Sequence, residues 1–572
     1  MKKNYKNIFT LLFVAAATLT SCVDTVILPD DKTVDEDFWK TKDDVSYVVN
    51  KAYQSMLSTS FMQNIIVWSD FRSDELDYVS SISGNVRNAL EEISAAKIET
   101  DNMFNDWAPL YSTINYCNIV LEKSEGVMAY DPNYSSGDFK SDCSQMLALR
   151  ALCYFYLVRV FRDVPVTPGA YMNSSQELNL AQTAPLTVID QCIADLKTAE
   201  QNALQASNYQ DWRKVGYINN VAIQAMLADF YLWRASVMHS EADYRSRIEY
   251  CDKVIAAKQE QFVPRPGQII DEKDIYHLAN CSDYYTDMYG QKNCYESIFE
   301  LQFDGNNNSN TGLCNMYHKI GTNSTTPYLR VPMSTFGRIG QGNIFESTLD
   351  QRAYNSVYSI GGTADFFDVR KMIHNLSAPQ GKSESRTEWT YEHFSRNWIV
   401  YRLTDVMLMK AEALVQLTQG DNENPMAEQA FSLVQAVNTR ALPDKSKSDS
   451  LKWNTYKSQD LELLVLNERA RELCFEGKRW FDLLRYNYRH VDGVDYTTTL
   501  AAQDEQKKPF VANYSEMMNL MVKEYATGGQ TIKYKMPTEP YLYMPVLQSQ
   551  IDVNTLLVQN PVYSENSLWK KD

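Results

Sequence analysis

Apolar side chains recur every three or four residues along most of this chain, the spacing that gathers them on one side of an α-helix. Met103, Trp107, Leu110, Ile114, Cys117 and Leu121 form one stripe, and Leu149, Cys153, Tyr156 and Val160 form a second, which Pro165 closes. Thr187, with Asp190 three residues on, reads as a capping box opening a helix that carries Val188, Cys192 and Leu196. Ile223, Leu227, Phe230 and Val237 predict a further helix facing a partner that carries Tyr244, Ile248, Cys251 and Ile255. Ala222, Ala225 and Ala228 would let the first of these approach its neighbour closely. A last pair is expected over 401–417 and 427–441. Periodicity alone predicts an all-helical bundle or solenoid. Helix pairs repeating at about 34 residues suggest tetratricopeptide units, although the strict consensus landmarks are absent.

The pattern breaks between 261 and 397. Asn306 to Asn308, Gly321, Gly340, Gly342, Gly361 and Gly362 interrupt helical spacing, and Tyr284, Tyr285, Tyr289, Tyr317, Tyr328, Tyr354 and Tyr358 accumulate. A long irregular insertion of this kind usually carries function. Ile298 to Phe303 is its best strand candidate. Segments 443–459 and 497–531 read as polar loops.

The densest signal is Asn467 to Arg485, Asn-Glu-Arg-Ala-Arg-Glu-Leu-Cys-Phe-Glu-Gly-Lys-Arg-Trp-Phe-Asp-Leu-Leu-Arg. Leu466, Ala470 and Leu473 make an apolar stripe, while Arg469, Glu472 and Glu476 fall beside it at ion-pairing spacing. Gly477 offers a turn, and Trp480 and Phe481 begin a second short helix. The segment reads as a bent helical clamp held by an intrahelical ion network, with no catalytic dyad.

This stretch resembles the signature of the SusD/RagB family of outer-membrane nutrient-binding lipoproteins. Segments at 103–120, 148–165, 296–303, 401–413 and 541–563 resemble family segments in the same order. The resemblance implies a mainly α, tetratricopeptide-like superhelix with a loop-rich inserted lobe of a few short strands. It also implies delivery of captured ligand to a SusC-like TonB-dependent transporter, with no cofactor and no catalysis. The implied boundaries are 1–21 for a signal peptide, 22–40 for a lipidated cysteine and tether, 41–260 for helical repeats, 261–397 for the ligand lobe and 398–572 for a C-terminal helical part.

The first residues support export directly. Lys2, Lys3 and Lys6 precede an apolar run from Ile8 to Ala17, too short to span a bilayer, and Leu19-Thr20-Ser21-Cys22 follows. Cys22 is therefore the expected lipidation site, and acyl chains on it would anchor the chain in the outer membrane without a spanning helix. The formal charge of -17 becomes -20 once the three lysines of residues 1–21 are removed. Such a surface repels nucleic acid and suits a neutral, hydrogen-bonding ligand. Beyond Cys22, nine cysteines remain, an odd number for an exported chain. Cys117, Cys153, Cys192, Cys251 and Cys474 lie on helical stripes as buried thiols, whereas Cys281, Cys294 and Cys314 leave a disulfide open in the loop-rich middle.

Enzymatic motifs fail one by one. The six histidines include no His-Glu-x-x-His, Gly381-Lys382-Ser383 lacks the first glycine and the strand of a phosphate loop, and Ser94-x-x-Lys97 has no Lys-Thr-Gly to complete it. Binding chemistry is better represented. Sugar rings stack their C–H faces on aromatics while their hydroxyls need polar partners, and Trp68, Arg72, Asp74, Glu75 and Tyr78 supply both in one short stretch. By resemblance, Tyr317 and Tyr328 in the central lobe would complete such a platform, with Trp389 flanking it. An oligosaccharide is the expected ligand and a peptide the alternative. A helical scaffold for another protein is the reading from a different class.

Overall fold

The computed structural model describes residues 38–173, 175–264, 275–279, 286–317, 326–332, 344–345, 347, 349–358, 366–371, 395–491, 493–503 and 534–564. The leader and tether through residue 37 lie outside the described residues. So do Cys22, Tyr284, Tyr285, Cys281, Trp389, Gly381-Lys382-Ser383 and most of the 497–531 loop.

Helix α1 (Lys42–Ser55) starts on a capping box in which Thr41 accepts from the Asp44 amide and the Asp44 carboxylate accepts from the Thr41 amide. Helix α2 (Thr59–Ile66) runs on into a π-helical turn at Val67–Phe71, and the short strand β1 (Asp77–Tyr78) and helix α3 (Asn85–Ser94) follow. The long antiparallel pair α4 (Ala108–Val127) and α5 (Ser136–Phe161) realises the first two predicted stripes. Arg162 stops α5 by taking φ 66°, and the chain then enters the two-residue strand β2 (Val164–Pro165), paired with β3 (Gln182–Thr183).

Helix α6 (Pro185–Glu200) is present, but its expected capping box is not. The helix begins two residues before Thr187 with Pro185 in its first turn, where a missing amide costs nothing, and Ala184 is the cap residue. The single-turn helix α7 (Arg213–Gly216) leads into α8 (Asn220–Met238) and α9 (Glu241–Glu260). Ala222, Ala225 and Ala228 of α8 are fully buried.

Strand β4 (Ser297–Leu301) overlaps the predicted strand, starting one residue earlier and ending two residues sooner. Its partner β8 (Trp398–Arg402) overlaps the start expected for the 401–417 helix, so Tyr401 is a strand residue and helix α12 begins only at Leu403 (Leu403–Thr418). Between these strands the lobe contributes helix α10 (Thr311–Tyr317), strand β5 (Leu329–Pro332), helix α11 (Gln351–Ser356), β6 (Val357–Tyr358) and β7 (Phe366–Val369). A four-stranded sheet of order β1-β5-β7-β6 ties this lobe to the N-terminal helices through β1. Helices α13 (Pro425–Arg440), α14 (Leu461–Leu473) and α15 (Arg479–Arg489) complete the frame.

Packing follows chain order, with α4 on α5, α5 on α6, α8 on α9, α9 on α12 and α12 on α13, which is the tetratricopeptide-like arrangement. One continuous apolar core links these helices to the lobe. The five helical-stripe cysteines are buried free thiols. Cys294 and Cys314 are also free, so the bridge left open among Cys281, Cys294 and Cys314 does not form with either of them.

Candidate functional site

The clamp Asn467–Arg485 folds as α14, a tight turn at 474–478, and α15, which continues past Arg485 to Arg489. Gly477 makes the turn with φ +75°, and a Cβ there would stand 2.8 Å from Cζ2 of Trp398, so a side chain is excluded on both counts. The ion network is only partly intrahelical. Arg471 does pair with Glu468, and Arg485 with Asp482, at i, i+3. Glu472, however, reaches across the fold to Arg402 at 2.6 Å, to Arg352 at 3.0 Å and to Arg440. Glu476 takes Arg402 at 2.7 Å and Lys371, and also accepts from the Tyr289 hydroxyl at 2.8 Å. Arg469 holds Asp482 at 2.8 Å and Asp405 at 3.0 Å.

Burial alone would raise the Glu472 carboxyl, but Arg440, Arg402 and Arg352 overcome it and hold it well below the usual carboxylate range. Glu476 is likewise lowered against burial, by Arg402 and Lys371. Buried pairs of this kind add little net stability over apolar packing, yet each is costly to break singly. The clamp is a junction where the N-terminal helices, the lobe and the C-terminal helices meet.

The predicted platform is the other half of that junction. Trp68 is fully buried, donates its ring N–H to the Phe104 carbonyl at 2.7 Å and meets Phe161 edge-on. Arg72 donates to the Leu542 carbonyl at 2.9 Å and lies 4.4 Å from the Trp480 ring centroid. Asp74 receives both ends of the Arg479 guanidinium at 2.7 and 2.8 Å. Asp70 accepts the Gly477 amide at 2.9 Å and the Tyr317 hydroxyl at 3.2 Å, and Glu75 accepts the Phe475 amide at 3.0 Å. Burial pushes Asp70 up to about 7 and raises Glu75 as well, with the Asp70 charge adding to that rise.

Trp68, Arg72, Asp74, Glu75 and Tyr317 are therefore corrected from ligand contacts to socket residues. Their rings and charges are taken up by the clamp or by the surrounding core, and all five are buried. The mixed composition that suggested a sugar platform is equally what a buried polar junction needs.

Tyr78 and Tyr328 remain half-buried. The pairing of β1 with β5 sets Tyr78 opposite Leu329 and Asp77 opposite Arg330, and the latter two form an ion pair at 3.1 Å. The Val79 amide donates to the Tyr328 carbonyl at 2.9 Å. The two tyrosines thus share one sheet edge, although the register turns them to opposite faces. Trp389 lies outside the described residues, so the described part of this edge holds two of the predicted contacts. Among the described residues no group of three or more His, Cys, Asp or Glu side chains is arranged for a metal ion, and no helix is long and apolar enough to cross a membrane.

Residues 361–563 match the family model described as SusD family, and residues 29–232 match the model described as starch-binding associating with outer membrane. SusD-like protein P38 of Formosa agariphila is 24% identical over 517 residues, covering 85% of this chain and 92% of that protein. SusD-like protein P2 of the same organism is 24% identical, covering 84% and 90%. A SusD homolog from Bacteroides thetaiotaomicron superposes with a TM-score of 0.66 at 18% identity, over 91% of this chain and 96% of that one. A SusD superfamily protein from Bacteroides vulgatus does so with a TM-score of 0.63 at 18% identity, over 92% and 100%. The two models take in both halves of the helical frame, including the clamp and the socket that receives it, and the chain belongs to the SusD/RagB family of carbohydrate-binding, nutrient-uptake proteins.

Proposed function

We propose that this protein is a cell-surface lipoprotein that captures an oligosaccharide and passes it, unaltered, to a SusC-like TonB-dependent transporter. The observation that carries the reading is the match of residues 29–232 to a family described as starch-binding and associated with the outer membrane. Residues 1–21 are then a leader, Cys22 the acylated residue and 22–40 the tether. Residues 41–260 and 398–572 form the frame, and 261–397 is the ligand lobe. The β1–β5 edge bears Tyr78 on one face and Tyr328 on the other, with the Asp77–Arg330 ion pair beside them, so each ring stands near hydrogen-bonding groups, the pairing that saccharide recognition needs, and Trp389 is proposed as a further contact.

A glycan array run beside a peptide pool separates this reading from peptide capture, and calorimetry of Tyr78→Ala locates the site. The expected result is glycan binding weakened by Tyr78→Ala at unchanged melting temperature, with the oligosaccharide recovered intact. Binding to peptides alone would replace the ligand class, and turnover of the oligosaccharide would overturn binding without catalysis.

A further inference from the structure

A concave surface where α1, the segment before α7 and the end of β4 meet holds the ingredients of a second site. The segment leading into α7 places Trp212 beside α1, and the two walls enclose a cleft of about 300 Å³, at the lower end of the range for small-molecule sites. Tyr47 on α1 is 64% exposed and Trp212 is 46% exposed, an unusual pair of large rings for a surface with no function. Gly216 makes room for the indole, because a Cβ there would lie 2.7 Å from Cε3 of Trp212.

The cleft is rigidly built. Tyr217, at the end of α7, donates its hydroxyl to Asn50 at 2.6 Å and stacks edge-on with Trp212 at 5.5 Å between ring centroids. Tyr53 lies beneath, 5.3 Å from the Tyr217 ring centroid, with its hydroxyl donating to Gln145 and accepting from the Ile218 amide. Above the rings the rim is made mostly of neutral amides. Gln54 donates to Asn308 at 3.3 Å, Lys51 donates to Gln54 at 3.3 Å, and Glu300 and Gln302 also line the cleft. Asn50 and Tyr217 also line a neighbouring cleft of about 660 Å³, so the two share a wall.

We infer that the cleft between α1, α7 and the end of β4 is a second saccharide-binding site, distinct from the sheet edge of Tyr78 and Tyr328, in which Trp212 and Tyr47 stack a pyranose ring and the amides of Asn50, Gln54 and Asn308 meet its hydroxyls. Exposed ring faces supply contact at low entropic cost, and neutral amides both donate and accept, as a hydroxyl-rich neutral ligand requires. The neighbouring cleft gives a chain of several sugar units somewhere to continue. The assignment of a saccharide rests on the proposed function, while the location does not.

The test takes the glycan that gives the strongest array signal with the wild-type protein and titrates it by calorimetry into Trp212→Ala, Tyr47→Ala and Tyr78→Ala variants. Both cleft residues are exposed, so the folded state is expected to persist, and melting temperature checks it; Tyr47→Ala serves if Trp212→Ala does not fold. The expected result is a loss of about one binding site per chain, or a fall in affinity of about tenfold or more, in either cleft variant. Unchanged stoichiometry and affinity in both cleft variants would overturn the second site while leaving the lobe reading intact. Absence of any glycan signal for wild type would sink the saccharide class for both sites at once.

Discussion

Asp70 shows how one side chain can oppose its surroundings. Its carboxyl is pushed up to about 7 by burial, so between about pH 4 and 7 the folded chain holds a proton that the unfolded chain releases. Stability from this group is complete below about 4 and is lost as pH rises through 7. The arginine-paired carboxylates run the other way: Glu472, Glu476 and Glu412 are lowered, so their contribution is present at neutral pH and lost on acidification. Asp70→Asn keeps an acceptor for the Gly477 amide and deletes the titration. Denaturant melts from pH 4 to 7 should show the variant gaining on wild type as pH rises; parallel curves would refute the assignment. Glu472→Gln leaves Arg352, Arg402 and Arg440 facing one another without their common counter-charge. A loss of about 3 to 5 kcal/mol in urea unfolding is expected, the range for removing one partner of a buried pair. Intact glycan binding in that variant under native conditions would confirm that the residue serves the fold.

At the scale of elements, the helices were largely legible because their apolar period is local information. The stripe at Leu149–Val160 became part of α5 and that at Met103–Leu121 became α4 from Ala108 on, with Trp107 as its cap and Met103 in a separate, exposed 3-10 turn. What the sequence concealed was partnership at long range. Asp74 and Arg479 are far apart along the chain, and nothing in either neighbourhood announces their bidentate pair. The spacing of Arg469, Glu472 and Glu476 suggested pairing within one helix, yet the basic partners of Glu472 come from β8, α11 and α13. For the same reason Trp68 looked available for ligand: its irregular context reflects a π-helical turn pressed into the core. Tyr47 and Trp212 were missed because exposure, unlike period, leaves no mark in a single sequence. The turn joining α14 to α15 is the most sensitive of these elements. Gly477→Ala combines a left-handed φ with a 2.8 Å clash against Trp398, so a drop in melting temperature larger than that of Gly493→Ala is expected, Gly493 having φ +83° but open space around its Cα. Equal drops would mean that conformation, and not the clash, decides.

For the whole molecule, the frame and the sheet edge sit on a chain whose own surface is strongly acidic, with nothing among the described helices able to enter a bilayer. The proposed anchor lies before Phe38, at Cys22. Cys22→Ala is expected to abolish incorporation of labelled fatty acid and to shift the protein from the membrane to the soluble fraction of cells; retention of label would place the acylation elsewhere. Partial retention on the membrane without label would instead report direct contact with a transporter.

The pairing of β4 with β8 brings Leu301 opposite Trp398, so the lobe leaves the frame and returns to it at adjacent points. An excursion closed at its base can change length cheaply, since doubling a flexible loop costs only about 0.6 kcal/mol in closure entropy. The segment between these two strands is thereby exchangeable: a different one could be grafted there without redesigning the helices. The graft would have to keep three plugs that the frame expects, Tyr317 for Asp70, Arg352 for Glu472 and Lys371 for Glu476. Length and composition could vary between β4 and β8 while the mould that receives the insert stays fixed.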